Sequence, residues 1–466
     1  MITAELVDKL QTNEWEELNR FISFHSPRIR KDIFLVLDVL REKSSVINEL
    51  TRGEIHNQAF PGTQFEDKRI RYLLTDINKL IFDYFSYKQM ARNAFERKSL
   101  LLRELSDRKC MGSFEKTYNS ELKKLTNSGR ADSDTLHYRH QLHSLKAKAE
   151  LESGQRSSDV FEESSLYLDN YFVAKKLQIS AEKINLNYIL KKEWNDPFLQ
   201  NILEQIDLGL FDSSPYIKLY RLIIESLTEH ENESVFELLK SQVPELIGKL
   251  PASELSDLYQ YLLNYCIRRI NSGRLAFQDE LLSVYRSALE HGALFTDGRI
   301  SQWDFKNVVT IALRTKQIDY AREFIYTYKP SLPVEQRTNA IAYNLANLHF
   351  AEKDYRSAIK QLQMVDLDDV FYRLDARSIL LKSYYELDDT DALHYHATAF
   401  RSMLNRNREI SDHQRTLYLN LIKHTLALTK VGGEKSKLKL IENRVKANPN
   451  VADLSWFEQK IEDLKA

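Results

Sequence analysis

Glycine and proline are scarce in this chain, 12 and 9 among 466 residues, where globular proteins carry roughly 12% of the pair. That scarcity disfavours strand-rich folds built on many tight turns, and any fold that depends on a glycine-rich phosphate loop. Cysteine is scarcer still. Cys110 and Cys266 do not make a disulfide scaffold and fit a reducing compartment. An excess of one charge is also missing: 66 Lys and Arg face 67 Asp and Glu, a net charge of −1. No global field therefore draws the chain to nucleic acid or to a membrane surface. No apolar run approaches the length of a spanning helix. The opening residues, MITAELVDKLQTNEWEEL, lack the basic stretch and apolar run of a secretory signal. The expectation is a cytoplasmic protein without membrane contact, long enough for about two to four domains or one repeat array.

What is present is helical periodicity. Ile33, Val36, Leu37 and Leu40 follow the i, i+3, i+4, i+7 spacing of one helix face, and Leu73, Ile77, Leu80, Ile81, Tyr84 and Phe85 continue it in steps of three and four. Ser26-Pro27, Ser214-Pro215 and Pro251-Ala252-Ser253 read as helix starts. Gly154, Gly273 and Gly292 read as helix ends. No alternating strand followed by a hairpin signal is expected. The fold class is all-α, with 20 or more helices anticipated.

Many helices on short loops leave a bundle or a solenoid open, and internal similarity favours the second. Phe305, Val308, Val309 and Ala312 precede Ile318-Asp319-Tyr320-Ala321. Ala342, Leu345 and Ala346 precede Lys353-Asp354-Tyr355 and Ala358. Ala376, Ile379 and Leu380 precede Leu387-Asp388-Asp389 and Ala392. Each is a helix, a polar turn and a second helix opening near a small residue. These residues resemble the tetratricopeptide repeat (TPR) family. Ala346 and Ala358 stand at two small-residue positions and Tyr355 at the aromatic position of the turn. Ala342 replaces the usual Trp, His349 the usual first-helix Tyr, and Val365 the third small residue. The resemblance implies an all-α, TPR-like solenoid of stacked helix pairs, with a fourth pair over 414–448. The expected organisation is an N-terminal helical domain over 1–130, an irregular helical-repeat region over 131–297, TPR-like repeats over 298–447 and a C-terminal capping helix over 448–466. The N-terminal residues Phe21, Phe24, His25-Ser26-Pro27 and Phe60-Pro61-Gly62, with Leu168-Asp169-Asn170-Tyr171, look like a set of bacterial (Bacteroidota-type) proteins with TPR-like C-terminal halves. That likeness implies architecture and no activity.

Catalytic motifs are mostly lacking. Val431-Gly432-Gly433-Glu434-Lys435-Ser436 places Glu between Gly and Lys and lacks the upstream glycine, so it reads as an inter-helix turn, not a phosphate cradle. Asp134-x-x-His137 and Asp391-x-x-His394 are no more than composition alone supplies, and no metal is expected there. His137, His140 and His143 read as a solvated helix face. Cys266, in an apolar helix, reads as a buried thiol. Neither a cofactor nor a catalytic residue is expected.

Two binding faces remain. The resemblance implies a concave face built from the first helix of each pair. Lys306 and Thr310 come from the first; Tyr343, Asn344, Asn347 and Phe350 from the second; Arg377, Leu381 and Tyr384 from the third. In the TPR subset that clamps a C-terminal carboxylate, Lys306 and Asn344 match by position, whereas Thr310, Leu374 and Ser378 depart from the pattern. Asn side chains flanked by aromatic anchors suit a peptide backbone, so the expected partner is a protein or peptide. The alternative is a basic face in the 67–109 segment, which has 11 Lys or Arg against 6 acidic residues. There Arg69, Arg71, Lys88 and Arg92, interleaved with Tyr84, Phe85 and Tyr87, would contact nucleic acid in a regulator whose repeats bind a peptide or protein. A further alternative is an enzyme whose site is assembled from distant helices.

Overall fold

The structure is a computed structural model that describes residues 2–25, 30–130, 132–154, 159–190, 195–229, 231–363, 369–432 and 434–465. The Ser26-Pro27 start, Val365 and Gly433 lie outside the described residues. The chain is about 80% helical, with 23 helices among the described residues. It divides into two compact units, residues 1–129 with 133–172, and 130–132 with 173–466. The first unit therefore extends past the expected end at 130 and takes in the next helix and part of the one after.

The first unit contains α1 (Ile2–Asp8), α2 (Glu14–His25), α3 (Lys31–Glu42), α4 (Arg52–Ala59), α5 (Asp67–Arg92), α6 (Ala94–Asp107), α7 (Met111–Ser128) and α8 (Ser133–Glu152). Helix α9 (Asp159–Leu190) runs from the first unit into the second. The long α5 buries Ile70, Leu73, Leu74, Ile77, Ile81 and Tyr84, and α1 to α4 pack around that stripe with Val7, Leu18, Ile22, Val36, Leu37 and Leu40. Each such side chain contributes about 1.5–3 kcal/mol by leaving water. A second core joins α6, α7 and α8 around Leu102, Phe114, Tyr138 and Leu142.

The second unit continues with α10 (Pro197–Asp207), α11 (Pro215–Thr228), α12 (Glu233–Leu246), α13 (Ala252–Asn271) and α14 (Phe277–Glu290). The expected starts hold: Ser214 caps α11, its hydroxyl accepting from the Ile217 N–H, with Pro215 in the first turn. Gly154, Gly273 and Gly292 each adopt a positive φ just beyond a helix. One expectation fails. A small antiparallel hairpin follows, β1 (Phe295–Thr296) and β2 (Arg299–Ile300), around Asp297 and Gly298. Both turn residues have positive φ, 51° and 73°, the conformation that Asp-Gly favours in a two-residue hairpin. Its strands are too short to show alternation.

The remaining helices are α15 (Gln302–Arg314), α16 (Ile318–Tyr328), α17 (Val334–Ala351), α18 (Tyr355–Gln363), α19 (Val370–Glu386), α20 (Thr390–Arg406), α21 (Asp412–Leu428), α22 (Lys435–Ala447) and α23 (Leu454–Lys465). Each packs on the next, and the odd members also pack on one another: α15 on α17, α17 on α19, α19 on α21. Ala346 and Ala358, both fully buried, let α17 and α18 approach closely. The turns α15–α16, α17–α18 and α19–α20 share one geometry. Lys316, Lys353 and Asp388 have φ of 59°, 65° and 55°. The following amide donates five residues back, Gln317 to Ala312, Asp354 to His349 and Asp389 to Tyr384, at 2.8, 2.8 and 3.1 Å. This is the Schellman ending, which satisfies helix carbonyls left over at a C-terminus.

Candidate functional site

Because α15, α17, α19 and α21 lie in a row, one side of each helix points the same way. On α19 the residues at i, i+3 and i+7 are Asp375, Ser378 and Lys382. On α15 they are Trp303, Lys306 and Thr310, with Arg314 one turn further. On α17 Tyr343, Asn347 and Phe350 stand at i, i+4 and i+7, and on α21 Tyr418 joins them. Lys306 reaches across α17 to Asp375, Nζ to Oδ2 at 2.5 Å, and the Tyr418 hydroxyl donates to the other carboxylate oxygen at 2.7 Å. The ion pair thus joins α15 to α19 across α17.

Aromatic rings surround the Lys306 ammonium. The centroids of Tyr372, Tyr343 and Trp303 lie 4.9, 5.3 and 5.7 Å away. Tyr372 is fixed by donating its hydroxyl to the Gln302 carbonyl at 2.8 Å. Burial, aided by the negative fields of Asp375 and Asp453, pushes the Tyr343 phenol well above its ordinary value, so it stays a neutral wall of the site. The Asn347 amide donates to the Tyr343 hydroxyl at 3.4 Å. Lys382 lies over the Phe350 ring at 4.7 Å and donates to Asp453 at 2.6 Å, and the Ser378 hydroxyl donates to the same carboxylate oxygen at 3.0 Å. The Thr310 hydroxyl oxygen is buried and has no hydrogen-bond partner among the described residues.

Of the residues singled out from the sequence, Lys306, Thr310, Tyr343, Asn347 and Phe350 share this side. Asn344 does not. It is fully buried and its amide donates to the Ala340 carbonyl at 2.8 Å, so it is a packing residue one step round the helix. Arg377 and Tyr384 face α20 instead. His396 donates to the Arg377 carbonyl at 2.9 Å and its ring lies 5.7 Å from Tyr384, and Tyr384 lines a shallow hollow with Arg356, Ile359 and Asp389. The TPR-based register thus turned α19 to its other face. Asp375, Ser378, Lys382, Tyr372, Tyr418 and Asp453 were missed. The polar spacing Asp375, Ser378, Lys382 was the readable signal.

In the first unit, Lys88 is held by Glu14 and Glu17, and Arg69 pairs with Asp32 at 3.6 Å and lies over Phe60. Arg71 and Arg92 are exposed. Burial is opposed and outweighed in Glu14, whose carboxyl is lowered by the Gln11 amide and by Lys88. The three histidines of α8 do not form a solvated face. His143 is buried, with Nδ1 2.9 Å from Glu163 and 3.0 Å from the Tyr118 hydroxyl; His140 meets the Ser164 carbonyl at 3.1 Å; His137 stacks on Tyr171. They fasten α8 to its neighbours. Among the described residues no group of three or more His, Cys, Asp or Glu is placed to hold a metal ion, and no helix is long and apolar enough to cross a membrane. Gly432 and Glu434 lie in the α21–α22 connection, Glu434 preceding α22, as an inter-helix turn requires. Neither a family model, nor a curated protein, nor a solved structure matches the chain.

Proposed function

We propose that the protein is a non-enzymatic, cytoplasmic binding protein that takes a protein or peptide segment on the polar side of the α15–α21 row, and that this row is a TPR-like array. The observation that carries the reading is the convergence, from four helices and the segment before α23, of aromatic rings, amide groups and paired charges onto one side. A preformed surface of this kind loses little ordering entropy on binding, and its rings and amides suit an extended peptide. The repeated Schellman turns and the odd-to-odd packing support the repeat reading. Capture by the full-length protein, compared with Asn347→Arg, tests it. A bound protein partner should be lost with Asn347→Arg and retained with Arg377→Ala, which alters the opposite face. Retention by Asn347→Arg would move the site elsewhere.

The second reading, nucleic-acid contact by the first unit, rests on the outer side of α5. There Lys68 and Arg71 lie against the exposed ring of Tyr72, 6.0 and 5.8 Å from its centroid, a stacking and phosphate-binding combination. The ion pairs of Lys88 and Arg69 weaken it. Arg71→Glu should abolish any salt-sensitive binding to single-stranded oligonucleotides; no binding at low salt removes the reading.

A further inference from the structure

The polar side of the row is already occupied by a piece of its own chain. After α22 the backbone returns to α21. The Ala452 N–H donates to the Leu417 carbonyl at 3.1 Å, and the Asn420 amide donates to the Asn450 carbonyl at 2.8 Å. This carries Asp453 onto α19, where Lys382 and Ser378 hold its carboxylate. Burial pushes the Asp453 carboxyl upward, but the Lys382 ammonium, the Ser378 hydroxyl and the Arg314 guanidinium outweigh it and hold the group below its ordinary value. The carboxylate is crowded by protein yet keeps 39% of its side-chain surface open. Asp453 also adopts φ 52°, a left-handed conformation that Asp and Asn enter more readily than most residues.

We propose that Lys382, Ser378 and Arg314 form an acidic-peptide subsite whose resident occupant is the chain's own Asp453, and that an acidic segment of a partner protein binds by replacing that carboxylate. Charge selects the occupant. With Asp453 in place, Lys306, Lys382 and Arg314 face Asp375 and Asp453; without it, three cations face one carboxylate. A neutral or basic segment would leave the buried Lys382 without a counter-ion, which is strongly unfavourable. Thr310, one turn before Arg314, offers a further unpartnered hydroxyl. Helix α23 has its own anchors in Phe457 and Ile461 and in the Trp456 indole donating to Glu386 at 2.8 Å, so the carboxylate is exchangeable without undocking the helix. A tethered competitor acts at an effective concentration of order millimolar, so the intact chain binds acidic peptides weakly and gains when Asp453 is neutralised.

This rests on the peptide-binding reading above. The test is fluorescence anisotropy of the full chain with a fluorescein-labelled (Glu-Ala)5 peptide and a (Gln-Ala)5 control at low salt. Asn tolerates the left-handed backbone, so Asp453→Asn keeps the fold. Asp453→Asn should bind the Glu peptide at least tenfold more tightly than the wild type. Adding Lys382→Gln should remove the gain, and the exposed Arg314→Gln, which leaves the core intact, should reduce it severalfold. The Gln peptide should show no gain. Equal affinity of wild type and Asp453→Asn for the Glu peptide overturns the proposal, as does an equal gain for the Gln peptide. When partner capture remains sensitive to Asn347→Arg while neither peptide responds to Asp453→Asn, this subsite falls and the peptide-binding reading stands. When capture is insensitive as well, both fall.

Discussion

Asp375 ties three helices together, and its removal gives a measurable coupling. Its carboxylate accepts from Lys306 of α15 at 2.5 Å and from Tyr418 of α21 at 2.7 Å. An exposed ion pair contributes about 0–1 kcal/mol, and breaking a buried one costs about 3–5 kcal/mol. Here the Lys306 side chain is 14% exposed and that of Asp375 33%, so the pair lies between those limits. Asp375→Asn keeps an acceptor for Tyr418 but leaves Lys306 without a counter-charge, and a loss of about 2 kcal/mol is expected. Lys306→Met keeps an apolar chain among the three rings but loses the ammonium, for about 1.5 kcal/mol. The double variant should lose less than the sum, with a coupling energy of about 1.5 kcal/mol. Urea unfolding of the full chain, followed by tryptophan fluorescence and by circular dichroism, reads this. Trp303 lies 5.1 Å from Tyr372 and reports on the cluster itself. Additive losses, with coupling below about 0.5 kcal/mol, would show that the two charges do not depend on each other and refute the cross-helix tie.

Replacing Lys316, Lys353 or Asp388 by Gly should raise stability by about 0.5–1 kcal/mol each, measured by urea midpoint, because each holds a left-handed φ that glycine adopts without strain. Burial, with the Arg377 charge, depresses His396 from 6.5 to about 4 despite its hydrogen bond to the Arg377 carbonyl. The neutral form is therefore favoured by folding, and the stability it contributes is complete above pH 6.5 and lost as pH falls toward 4. The expected slope is about 1.4 kcal/mol per pH unit between those values, and His396→Gln should flatten it; an unchanged slope assigns it to other groups. Cys110 is exposed, whereas Cys266 is buried with its thiol pushed up by desolvation. A thiol reagent should label one cysteine in the native protein and two after denaturation.

The all-α class was legible because composition and 3.6-residue periodicity both act locally. Helix starts at Ser214-Pro215 and ends at Gly273 and Gly292 were readable for the same reason. The hairpin at Asp297-Gly298 was overlooked because two-residue strands carry no alternation, although Asp-Gly itself was a signal. The site was half legible. Lys306, Tyr343 and Asn347 followed from helix spacing, but a rotation of about 100° per residue turns Asn344 away from Tyr343 and onto the Ala340 carbonyl. Arg377 and Tyr384 failed because a repeat alignment fixes which helix faces a groove, not the register of its polar stripe. Asp453 was not legible at all. Its partners stand 71 and 75 residues earlier, and no local pattern encodes contact at that separation. The readings of 1–130, 131–297, 298–447 and 448–466 followed motifs and repeat spacing, whereas the division near 172 passes within α9 and leaves no mark in the helical pattern.

A succession of helix pairs held only by nearest neighbours unfolds piecemeal, the terminal pair opening first. This chain adds ties of longer range. Lys306 to Asp375, Tyr372 to Gln302, Lys382 to Asp453, Trp456 to Glu386 and Lys460 to Glu386 join residues 69, 70, 71, 70 and 74 positions apart, about twice the spacing of successive turns. Each tie links a pair to the next but one, so opening the last pair breaks contacts made by the pair two places before it. The described residues between 302 and 465 are therefore expected to exchange their amide hydrogens as one cooperative block, with the C-terminal helices protected as strongly as α17 instead of fraying toward the end.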